Sequence, residues 1–66
     1  MVAINRFPQL QRLAWNRRPD AQIPEEVALE LYERNWGLVD LADMEPRERR
    51  LLDKLVATVG NGLLHV

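Results

Sequence analysis

Trp15, Arg17 and Arg18, in the stretch LAWNRRPDAQIP, are residue types suited to recognition. A tryptophan ring stacks on a base or anchors in a protein pocket, and arginines hold phosphates or carboxylates. A plainer reading fits the same residues. Trp15 would cover the core at a helix end, and Arg17 and Arg18 would sit where the helix dipole favours cations by about 0.3–1 kcal/mol.

A second basic group is Arg47, Arg50 and Lys54, spaced to share one helical face. Like charges three or four residues apart repel by a few tenths of a kcal/mol. Such a ridge reads as a surface that meets something acidic, or as an ordinary solvated face with Arg49 and Asp53 as a local pair. Its complement is the stripe Glu26, Glu30 and Glu33, of which Glu30 can also pair with Arg34. Exposed pairs contribute only about 0–1 kcal/mol each, so this patterning serves orientation and specificity.

Nothing comparable points to catalysis. His65 is the only histidine, Thr58 the only threonine, and the chain has no serine or cysteine. A nucleophile needs a base in reach, and a metal needs several ligands. The carboxylate pairs Glu25–Glu26 and Asp40/Asp43 are explained by a helix start and a loop. VGNG near the end is a helix stop, not a phosphate-binding loop. No catalytic, cofactor-binding or metal-ligating residue is assigned, and no enzymatic activity is expected.

The charge distribution organises these groups. Residues 1–19 carry +4, residues 20–45 carry −7, and residues 46–66 carry +2, within a net charge of −1. A net charge near zero argues against generic polyanion binding but leaves room for a local basic face. Sixty-six residues make a single small domain, 1–66, and apolar content of 47% with 29% charged residues argues for a folded chain. The absence of cysteine fits a reducing compartment. With no long apolar run and no signal-like N-terminus, the expectation is a cytoplasmic protein with no membrane contact.

The elements that must hold these residues are three helices. The first runs from about 5 to 15, with Asn5 as cap and Pro8 in the first turn. Phe7, Leu10, Leu13 and Ala14 form its apolar face, and Gln9 and Arg12 point elsewhere. The second runs from 24 to 36, with Pro24 as its first helical residue, Glu25 and Glu26 at the positive dipole end and Gly37 as stop. Its apolar arc, including Val27, Ala28, Leu29, Leu31, Tyr32 and Trp36, is wider than one neighbour requires. It therefore touches two neighbours, or one neighbour and a partner chain. The third runs from 46 to 59, with Pro46 first, Glu45 and Glu48 at its start and Gly60 and Gly62 as stop. Leu38, Val39, Leu41 and Met44 fit either a short helical turn within 38–44 or an irregular plug, and the tail LLHV docks back.

The expected fold is thus all-α, a three-helix bundle with Leu10, Leu13, Val27, Leu31, Leu51, Leu55 and Val59 central to its core. Trp36, like Trp15, is expected as a core lid. The expected role is a non-enzymatic protein–protein interaction or accessory module, with a homodimer as one form of partnership. The alternative is a nucleic-acid-binding regulator using the same arginines. Against it, a recognition helix usually offers Asn, Gln, Ser or Thr to base edges, whereas this one opens with Glu45 and Glu48.

Overall fold

A computed structural model describes residues 1–64. The order along the chain is strand β1 (Val2–Ala3), a 3-10 turn (Ile4–Arg6), helix α1 (Pro8–Leu13), strand β2 (Gln22–Ile23), helix α2 (Glu25–Arg34), a second 3-10 turn (Trp36–Leu38) and helix α3 (Pro46–Thr58). Three helices carry the fold as expected, but it is not purely all-α.

The correction is a two-stranded antiparallel ribbon. Val2 lies opposite Ile23 and Ala3 opposite Gln22. The amide of Ile4 extends the pairing by donating to Ala21 O at 3.3 Å. Val2, Ile4 and Ile23 are buried, and their branched side chains suit extended backbone. The segment 16–23, expected as a mere connection, therefore returns to clasp the N-terminus. Two-residue strands are too short to show an alternating pattern, and a pairing across twenty residues leaves no local signal.

Boundaries shift for related reasons. Asn5 does not cap α1; it lies within the 3-10 turn, and Phe7 occupies the N-cap position with no side-chain bond. The helix stops at Leu13 because Ala14 leaves helical geometry, so the expected 5–15 helix is a 3-10 turn followed by six α-helical residues. In α2, Pro24 is the cap rather than the first helical residue, and Asn35 rather than Gly37 closes the far end. Asn35 does so with its own side chain, which donates from Nδ2 to Leu31 O at 2.9 Å. The wide apolar arc of α2 is used within the chain, since α2 packs on both α1 and α3.

Residues 38–44 combine both expected options. The 3-10 turn at Trp36–Leu38 is followed by a turn in which Asp40 Oδ1 accepts from the amides of Ala42 at 3.1 Å and Asp43 at 3.3 Å. Met44 then plugs into the core. Leu10, Leu13 and Leu55 are buried as expected. Val27, Leu31, Leu51 and Val59 are only half-buried at the core's margin, whereas Ala28, Leu29, Tyr32 and Leu52 take the inner positions. The two helices are rolled so that Tyr32 and Glu48 meet, for the reason given below.

The stop of α3 is built from backbone. Val59 N and Gly60 N donate to Leu55 O at 2.9 and 3.1 Å, and Gly62 N donates to Val56 O at 2.7 Å. These bonds satisfy two of the carbonyls in the last turn of the helix, those of Leu55 and Val56. At Gly60 a Cβ would stand 2.5 Å from Leu63 O and 3.0 Å from Val56 O, both backbone atoms, whereas at Gly37 it would meet nothing within 4 Å. Gly60→Ala should cost about 1–3 kcal/mol by overpacking, lowering the melting temperature by roughly 4–8 °C per kcal/mol in a domain this small. Gly37→Ala should be neutral or raise it. Thermal unfolding of the two variants in parallel checks the contrast; equal melting temperatures would refute it.

Candidate functional site

The chemistry-bearing group at the centre of the molecule is Glu48, 1% exposed. Its Oε1 accepts from Gln9 N at 3.1 Å, and its Oε2 accepts from Leu10 N at 2.8 Å and from the Tyr32 hydroxyl at 2.7 Å. The local sequence explains why two amides of α1 are free to donate. Pro8, the first helical residue, has no N–H; Gln9 and Leu10 are the next two; Gln11 already donates to Phe7 O at 2.9 Å. The unsatisfied donors of a helix start are normally served by a side chain at its own N-cap. Phe7 cannot do this, and Glu48 does it from another helix. Glu48 itself lies in the first turn of α3. Its negative charge therefore faces the positive ends of two helix dipoles.

Gln9 completes the arrangement. Expected to point away, it is buried. Its side chain clamps the backbone of Asp40 from both sides, Nε2 donating to Asp40 O at 2.7 Å and Oε1 accepting from Asp40 N at 2.8 Å. Every buried side-chain nitrogen and oxygen among the described residues has a partner. Burial, the Tyr32–Glu48 hydrogen bond and the Glu48 charge, in that order, push the Tyr32 phenol well above its ordinary pKa. It stays a neutral donor. Sequence reading missed Glu48, although a signal existed: on a wheel of about 100° per residue it falls within the apolar arc of α3, not opposite it.

The sequence-predicted surface residues lie elsewhere. Trp15 is 82% exposed and does not cover the core. Trp15 falls in the turn that follows α1, and on a wheel of about 100° per residue it lies opposite the face of Leu10, Leu13 and Ala14. Trp36, by contrast, packs against the core as expected. Arg17 and Arg18 are exposed; Arg18 pairs with Asp20 in its own turn at 3.3 Å. Arg47, Arg50 and Lys54 are exposed along α3. The local pairs Arg49–Asp53 at 3.2 Å and Arg34–Glu30 at 2.9 Å form as their spacing predicts. In the acidic stripe, Glu26 and Glu30 are exposed and Glu33 is half-buried.

The cation that lines a cleft together with Lys54 is Arg6. The fold thus joins the N-terminal and C-terminal basic blocks of the sequence at Arg6 and Lys54. The described residues contain no group of three or more His, Cys, Asp or Glu side chains able to hold a metal. None of their helices is long and apolar enough to cross a membrane. His65, and with it the end of the LLHV tail, lies outside the described residues. No family model, curated protein or solved structure matches the chain.

Tyr32 is the only tyrosine, which makes the buried pair measurable. Its folded pKa is raised, so the neutral form's contribution is fully present below the unfolded value of about 10 and is lost as pH rises above it. Stability should fall above about pH 10, with phenolate absorbance appearing only as the chain unfolds; Tyr32→Phe should lose that tyrosine-linked alkaline component. At neutral pH Tyr32→Phe should cost about 1.5–3 kcal/mol, the range for a hydrogen bond to a charged group. Glu48→Gln should cost at least as much, because its amide offers one acceptor where three donors converge. Phenolate formation at pH 10 in a chain that remains folded would contradict this account.

Proposed function

We propose that the chain is a small, non-enzymatic interaction module whose partner is a protein. The observation that carries this reading is the exposure of Trp15. A tryptophan 82% exposed in a 66-residue chain contributes little to its own core. Tryptophan and arginine are the residue types that dominate binding energy at protein interfaces. Trp15 is flanked by Arg17 and Arg18, and the ridge Arg47, Arg50 and Lys54 supplies further cations for charge-guided association. Among the described residues, the buried Glu48–Tyr32 pair is the one arrangement that resembles acid–base machinery. Its hydrogen bonds are committed to the start of α1, and Glu48 is closed to solvent. Residence in the cytoplasm is part of this proposal.

A second reading, binding to nucleic acid through the same arginines, gains from one observation. Glu48 faces the interior, so it presents no charge to a phosphate backbone, and the exposed face of α3 is more cationic than its sequence suggests. A second copy of the chain is one candidate partner within the first reading.

Partner recovery by the intact chain should fall in Trp15→Ala and in Arg17→Glu/Arg18→Glu. Equal recovery by all three would remove the Trp15 surface from the proposal. Titration with a mixed DNA and RNA pool should show no binding at low salt; binding that weakens steeply with salt would favour the second reading. For self-association, sedimentation at tens of micromolar showing only a 7.7 kDa species would exclude the homodimer.

A further inference from the structure

The ribbon and α3 enclose a cleft of about 320 Å³ whose walls differ in character. Met1, Val2, Phe7 and Leu51 give it apolar surface, and Arg6 and Lys54 also line it. Neither cation forms an ion pair among the described residues, whereas Arg18, Arg34 and Arg49 all do. Glu25 lines the cleft as well but pairs with neither. Met1 is 74% exposed. From Lys54 the ridge continues through Arg50 to Arg47, a run of about 10 Å along the helix at 1.5 Å per residue.

We infer that this cleft and the ridge leading from it bind an acidic, apolar-bearing peptide segment of a partner protein. The inference rests on the reading of the chain as a protein-binding module and adds where the partner sits and what it is made of. An aliphatic side chain of the partner enters between Leu51, Phe7 and the ribbon. Carboxylates on either side of it meet Arg6 and Lys54, and further acids follow Arg50 and Arg47. The volume lies at the lower end of the range for sites that enclose a ligand, about 300–1,000 Å³, which suits one or two side chains rather than a cofactor. The apolar wall decides between partner classes. A phosphate backbone would use the cations and leave the apolar wall empty, whereas an acidic amphipathic peptide uses both.

Fluorescence anisotropy with the full chain and three labelled probes tests this. The probes are a short peptide alternating Glu with Leu, the same peptide with Ser in place of Glu, and a single-stranded DNA of matching charge. The Glu–Leu peptide should bind, and the Ser–Leu peptide should bind more weakly. Arg6→Glu/Lys54→Glu should weaken Glu–Leu binding by at least about tenfold with an unchanged circular dichroism spectrum, since both side chains are exposed. Arg34→Glu, a reversal away from the cleft, should stay within about twofold, as independent sites do. Unchanged binding in Arg6→Glu/Lys54→Glu would overturn this site and leave the module reading standing. So would failure of the Glu–Leu peptide to bind, because that reading is tested separately at Trp15. Binding of the DNA alone, lost in the same double variant, would overturn both.

Discussion

The fold depends on one carboxylate serving two helices that are 38 residues apart in sequence at its closest amide contact. α1 has six residues, far below the length at which an isolated helix persists in water. Its first residues offer two amides that no local side chain can satisfy. Glu48 accepts both, and the Tyr32 hydroxyl donates a third hydrogen bond to the same carboxylate. Each helix thereby contributes a part that is costly to bury without the others. A buried carboxylate without donors is unfavourable by several kcal/mol, and so are orphaned amides and a buried phenol. Together they form a satisfied polar centre inside an apolar shell. Such a centre sets the rotation of each helix more sharply than leucines can, because hydrogen bonds are directional where apolar contacts are not.

This accounts for the pattern of what could be read from the sequence. The prolines at positions 8 and 46 and the Gly60–Gly62 stop announce local backbone geometry, and the helices begin or end close to them. The pairs Glu30–Arg34 and Arg49–Asp53 are equally local and form as spaced. The roll of α2 and α3 is different. The apolar arcs hold both Val27, Leu31 and Leu51, expected at the centre, and Ala28, Tyr32 and Leu52, which the structure puts there instead. The contact that selects among them is polar and distant, so an apolar pattern alone does not choose within the arc. Gln9 was misread for the same reason: its two bonds are to the backbone of Asp40, thirty-one residues away, which no periodicity encodes.

The surface shows the converse. Trp15 was open to reading as a core lid because tryptophan is large and apolar, yet on a wheel of about 100° per residue it falls opposite the apolar face of α1, and it is exposed. The five candidate cations, Arg17, Arg18, Arg47, Arg50 and Lys54, are exposed side chains whose grouping depends on tertiary structure. One N-terminal arginine does meet the C-terminal basic block, and the ribbon determines which. By fastening Val2 to Ile23 it sets Arg6 beside Lys54, while Arg18 turns back on Asp20.

The same ribbon and the same carboxylate bear on how the chain is made. Synthesis runs from the N-terminus, so β1 and α1 emerge well before their partners exist. β1 waits for Ile23, and α1 waits for Glu48, in the last helix of the described residues. No N-terminal portion of the chain contains a complete set of mutually satisfied groups. During translation the nascent protein therefore has no folded stopping point short of α3, and folding is deferred until α3 has cleared the ribosome.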